Sequence, residues 1–170
     1  NVQIGPSSVM YTLTGGSALN ADNTWVEIQL TIQDLNSLKK IRGLCDSSSD
    51  TYIAITSSTI RDMNNNSVVE IGRANAKQVS SFDGDHTRPR IVGFDLSMDK
   101  DGLIRLTFDE TVKTSTLTPS AITIQDGSSF VNAQYTWSAG NYSLNPTDDS
   151  TVVFIVPSKT DLDNMKRNTN

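Results

Sequence analysis

The sequence predicts an all-β fold of β-sandwich units in tandem, with the chain straddling two of them. Three observations carry this. Short runs of β-branched and aromatic residues recur between clusters of Asn, Asp, Gly and Ser, at the spacing of about 8–12 residues that sandwiches show. Only two segments read as helices. A block near the start of the chain also returns about 127 residues later.

Taken in order, strands are expected at 9–14, 25–32, 51–56, 67–71 and 78–82, then at 90–97, 103–108, 121–124, 130–137 and 151–156. Alternation is sharpest in Leu103-Ile104-Arg105-Leu106-Thr107-Phe108, where Ile104, Leu106 and Phe108 fall on one face and Arg105 and Thr107 on the other. Polar clusters at 62–67, 83–87, 99–102 and 126–129 read as turns. The helices are expected at 34–42 and 160–167. Asp34 and Thr160 are their N-caps, and basic residues in each last turn complement the helix dipole.

The returning block has four parts in the same order. Tyr11-Thr12-Leu13-Thr14-Gly15-Gly16 resembles Tyr135-Thr136-Trp137-Ser138-Ala139-Gly140. A polar loop follows each, around Leu19-Asn20 and Leu144-Asn145. Next come Trp25-Val26-Glu27-Ile28 and Val152-Val153-Phe154-Ile155. Last come Asp34-Leu35-Asn36-Ser37-Leu38-Lys39-Lys40 and Asp161-Leu162-Asp163-Asn164-Met165-Lys166-Arg167. Residues 1–85 then supply the later part of one unit and 86–170 the earlier part of the next. Neither half holds a complete unit, so each leaves an open sheet edge and an unfilled core. Two explanations stay open: the chain is a window on a long tandem array, or each subunit completes its neighbour head to tail.

Composition narrows the function. The 170 residues include 21 Ser, 19 Thr and 14 Asn, with 36% hydrophobic and 19% charged residues. A net charge of -5 and a pI near 4.7 argue against a nucleic-acid partner, since such a surface repels phosphate. No apolar run approaches the roughly 18 residues of a membrane span. The opening Asn1-Val2-Gln3 reads as the start of a mature or internal segment. One Cys and one His leave no disulfide framework within the chain and no His/Cys zinc cluster. Cys45 is expected half-buried near a loop. No catalytic motif is found, so a non-enzymatic role is expected, with no catalytic or ligand-binding residues assigned and no cofactor required.

A family pattern emerges from particular residues. Pro89-Arg90-Ile91-Val92-Gly93-Phe94 is followed by Leu103 to Val112 and then by Leu117-Thr118-Pro119-Ser120-Ala121-Ile122-Thr123-Ile124. Ile60-Arg61-Asp62-Met63-Asn64-Asn65-Asn66-Ser67-Val68 resembles the "D-x-x-G-N" turn that closes many bacterial Ig-like, S-layer-type repeats. Asn65 stands where that turn often has Gly, and Asn tolerates the left-handed conformation. Together these resemble the Ig-like and cadherin-like tandem repeats of large surface and filament proteins of bacteria and protists. The resemblance implies Ig-like sandwich units and an extracellular, cell-surface location. It also implies a glycosylated structural filament or appendage, whose partners are copies of the chain or neighbouring Ig-like repeats. A surface adhesin or carbohydrate-binding module is the alternative.

Candidate sites follow. Asn65-Asn66-Ser67 and Asn141-Tyr142-Ser143 are N-glycosylation acceptors in expected turns, so Asn65 and Asn141 are the residues expected to carry covalent glycans. Asp83 and Asp85 lie in the segment between half-units. With Asp109 they form a candidate Ca²⁺ joint, although Ca²⁺ prefers about six to eight oxygen ligands. Asp99-Lys100-Asp101-Gly102 reads as a hairpin turn rather than a calcium loop. Asp109 and Glu110 are a carboxylate pair at a strand end, the residues an enzymatic reading would need. Tyr135 and Trp137 form the aromatic pair a sugar-binding reading would need, although a core role is the expected one, since aromatics carry most core burial.

Overall fold

The structure, a computed structural model, describes residues 2–4 (backbone), 9–129, 132–138, 142–145 and 149–167. The chain divides into two compact units, residues 1–87 and 88–170. The fold is β-rich: among the described residues there are small antiparallel sheets of two to four strands and two α-helices.

In the second unit, β-branched alternation builds the core. Strands β7 (Ile91–Ser97) and β8 (Leu103–Val112) form a hairpin around Asp99-Lys100-Asp101-Gly102, where the Gly102 N–H donates to the Asp99 carbonyl at 2.9 Å. Strand β12 (Ser150–Val156) pairs with the other edge of β8, and β11 (Ser143–Asn145) pairs with β12, giving the order β11-β12-β8-β7. A separate two-stranded sheet joins β9 (Thr123–Gln125) to β10 (Gln134–Thr136). Helix α2 (Lys159–Arg167) follows β12. Ile104 and Leu106 of β8, Val153 and Ile155 of β12, Trp137 after β10, and Leu162 and Met165 of α2 are buried together. Ile124 and Tyr135 of the small sheet pack against them.

The first unit has a four-stranded sheet, ordered β2-β1-β5-β6, from β1 (Val2–Ile4), β2 (Tyr11–Thr12), β5 (Tyr52–Ile55) and β6 (Lys77–Gln78). A two-stranded sheet joins β3 (Ser17–Ala18) to β4 (Ile28–Gln29), and helix α1 (Ile32–Lys40) follows β4. Leu38, Leu44 and Ala54 are its buried apolar residues among those described.

Several expectations change. The helices begin two and one residues earlier than expected, and their caps are Thr31 and Ser158 rather than Asp34 and Thr160. The reason is a capping pattern, Thr31-x-x-Asp34 and Ser158-x-x-Asp161, in which the hydroxyl takes the exposed amide of the third helical residue. The expected strand at 67–71 is reduced to two isolated bridges, Arg61–Ser67 and Ile55–Ile71. Strand β8 runs on to Val112, so Asp109 and Glu110 lie within it rather than at its end. Residues 130 and 131 of an expected strand lie outside the described residues.

Candidate functional site

Each unit carries the same buried carboxylate cluster. In the first, Asp34 Oδ1 accepts from the Tyr11 hydroxyl (2.8 Å), the Thr14 amide (3.0 Å) and the Thr14 hydroxyl (2.8 Å). Its Oδ2 accepts from the Thr31 hydroxyl (2.9 Å). In the second, Asp161 Oδ1 accepts from the Tyr135 hydroxyl (2.7 Å) and the Ser138 amide (2.9 Å). Its Oδ2 accepts from the hydroxyls of Ser138 (2.9 Å) and Ser158 (2.7 Å). Burial works to raise both carboxyl pKa values. It is outweighed by these donors, led by the Thr14 and Ser138 amides, so both acids sit below the usual carboxylate range. The cluster pins the tyrosine strand to the first turn of the helix.

The pairing geometry is also shared. Strand β1 meets β2 in the register Gln3–Thr12 and Ile4–Tyr11, and β9 meets β10 in the register Thr123–Thr136 and Ile124–Tyr135. Strand β3 meets β4 as β11 meets β12, with Ala18 opposite Ile28 and Leu144 opposite Ile155.

What surrounds the shared block differs. In the second unit β12 has β8 on its far edge, and Val153, Ile155 and Leu162 are 2%, 0% and 5% exposed. In the first unit β4 has only β3 among the described residues, and the corresponding Val26, Ile28 and Leu35 are 45%, 46% and 38% exposed. The reverse holds at the other sheet. Strand β1 has β5 on its far edge, in the register Val2–Ile55, Gln3–Ala54 and Ile4–Ile53. Strand β9 has only β10 among the described residues. Among the described residues, the two units therefore add a strand at different sheets: β8 beside β12 in the second and β5 beside β1 in the first.

The residues singled out in the sequence are distributed as follows. Asn65 is exposed at the tip of a hairpin turn with φ 66°, and Asp62 closes that turn by accepting from the Asn64 and Asn66 amides. Asn141 lies outside the described residues. Asp83 is exposed and 3.4 Å from His86, while Asp85 pairs with Lys39 at 2.9 Å. Asp109, in the other unit, accepts from the Arg90 amide at 2.8 Å. Among the described residues no group of three Asp, Glu, His or Cys side chains is placed to hold a metal ion. Cys45 is half-buried in a loop with φ 59°, and burial, helped by Asp50 and Asp46, pushes its thiol pKa up.

Two alternatives lose their geometry. Trp137 is 2% exposed, and Tyr135 packs on the core with its hydroxyl on Asp161, so this pair offers no sugar-stacking platform. Asp109 is exposed and Glu110 buried, on opposite faces of β8, so the two do not converge as acid and base. The sequence reading missed Thr31 and Ser158 as members of the clusters, although their capping spacing was there to find. Comparison with family models, curated proteins and solved structures finds no match to this chain.

Proposed function

We propose that the chain is a structural segment of an extracellular, glycosylated filament or surface appendage, built from Ig-like β-sandwich units in tandem. Its work is mechanical. Sheet hydrogen bonds hold each unit, and completion of each unit by neighbouring sequence makes a continuous rod. The observation that supports this reading is the contrast between Val26, Ile28 and Leu35 and their buried counterparts Val153, Ile155 and Leu162. An apolar face that is exposed in one copy of a block and core in the other is a face made to be covered.

The test is the denatured mass of the native protein, before and after glycan removal, together with electron microscopy of the native material. Rods and a glycan-dependent mass are expected. A polypeptide of hundreds of kilodaltons places the segment in a covalent array, and a mass near 18.5 kDa in the same rods makes it a separate subunit. Compact monomers carrying no glycan would overturn the reading.

A further inference from the structure

We propose that the outer edge of β9 is a docking site for an antiparallel strand of the β5 kind. The donor is a further copy of the 41–82 segment, following α2 as that segment follows α1. The inference rests on the reading above that units are completed by neighbouring sequence, and it names the edge and its occupant.

The first unit already holds the docked form. Strand β1 corresponds to β9 through its register on the tyrosine strand, and β5 lies on its far edge with Ala54 opposite Gln3 and Ile53 opposite Ile4. Segment 41–82 also contributes Leu44 and Ala54, two of that unit's buried apolar residues. In the second unit no strand among the described residues pairs with that edge of β9. The Trp137 amide donates to the Ile122 carbonyl at 3.0 Å and the Asp126 amide to the Ala133 carbonyl at 3.1 Å. By antiparallel alternation, Thr123 and Gln125 then turn their N–H and C=O groups away from β10, toward the open edge. A groove of about 220 Å³, walled mainly by Leu96, Met98, Ile124, Tyr135 and Met165 and with Asp126 also in its lining, lies beside this sheet. Apart from Asp126, the edge and the groove walls are uncharged, and so is the donor sequence Tyr52-Ile53-Ala54-Ile55. The fit is therefore of ladder bonds and aliphatic packing, the usual mode of strand addition.

The source follows from counting parts. The shared block occurs twice, but among the described residues a strand of the β5 kind occurs once and is already held by β1. A second molecule of this chain would have to strip its own first unit to lend the strand. A further copy of 41–82 lends it at no such loss.

The experiment appends a copy of residues 44–87 after Asn170, so that Asn168-Thr169-Asn170 take the places of Ile41-Arg42-Gly43 after the helix, and follows amide hydrogen exchange by NMR. Exchange at Thr123 and Gln125 is expected to slow by at least ~10-fold relative to the unextended chain, as buried ladder amides do. Ala54→Pro in the appended copy alone, which removes a ladder donor, is expected to restore the original rates. A synthetic peptide of residues 50–57 added to the unextended chain is the second probe and is expected to slow the same two amides. Unchanged rates with both extension and peptide overturn the proposal. Slowing that appears in the unextended chain as its concentration rises also overturns it, by making a second molecule the donor. The outcome is separable from the filament reading: compact, unglycosylated native material would sink that reading while protected β9 amides left this one standing.

Discussion

Alanine at Ile155 and at Ile28, introduced one at a time, sets the same chemical change in two surroundings. Both residues occupy the same place in the shared block, opposite Leu144 and Ala18 respectively. Ile155 is 0% exposed, within the cluster of Ile104, Leu106, Val153 and Trp137. Truncation removes three carbons, about 2.4 kcal/mol at about 0.8 kcal/mol for each buried group. The cavity left between two strands and a helix adds to this, and the total falls at about 3–4 kcal/mol, within the range for buried Ile to Ala. Ile28 is 46% exposed. Roughly half the transfer term applies there, and water fills the space, so the expected loss is about 1 kcal/mol.

Urea denaturation followed by tryptophan emission reads both. Trp137 is buried in the second unit and Trp25 is 55% exposed in the first, so a Trp25→Phe background isolates the second unit's transition. Equal losses at the two sites, or a larger loss at Ile28, would refute the argument. Either result would mean that β4 is covered in solution as β12 is covered by β8.

Three further outcomes follow from the same structure. Asp161→Asn replaces an acceptor oxygen facing the Ser138 and Ser158 hydroxyls by a donor, and is expected to cost about 1–3 kcal/mol in urea denaturation. Because Asp34 and Asp161 have lowered folded-state pKa values, their stabilisation is present above the ordinary value of 3.8 and is lost as pH falls through the lowered values. The urea midpoint should therefore drop below about pH 4, and less steeply in Asp161→Asn than in the parent; identical slopes would count against the cluster's role. Gly102 has φ 70°, and a Cβ there would stand 2.8 Å from Leu162 Cδ1, so Gly102→Ala should lower stability by at least about 1–2 kcal/mol in a thermal melt. Ser67→Ala, expressed through a secretory route, should remove one glycan's mass at Asn65; an intact mass unchanged by the substitution would remove that site.

The sequence was most legible where one strand face is apolar. The alternation at Ile104 and Leu106 marks β8 because both residues face the core, and the Asp-Gly turn before it is where the chain reverses. The block's recurrence was legible because its residues are fixed by contacts within the block. What was not legible depends on neighbours. Residues 25–32 have the apolar content of a long strand, yet only Ile28–Gln29 pairs, whereas β12 reaches seven residues with β8 beside it. Strands β3 and β11 are short and polar, and only their pairing defines them. The aromatic pair Tyr135 and Trp137 is expected in the core because aromatics carry most core burial, and both pack there.

The two kinds of contact in the block explain why its copies agree in one respect and differ in another. The carboxylate cluster draws every partner from the block itself: a tyrosine, a hydroxyl residue three positions on, the helix cap and the aspartate. It forms in both units whatever lies beside them. The apolar positions draw part of their cover from outside the block: Ile104 and Leu106 of β8 join Trp137, Val153, Ile155, Leu162 and Met165 in one buried cluster. Polar groups buried in a cluster are costly to leave unpaired, and here each finds its partner within the block. Apolar surface carries no such demand for geometry and can wait for its cover. On the proposed reading, a strand added from outside the block would meet a tyrosine strand and a helix that the cluster already ties together.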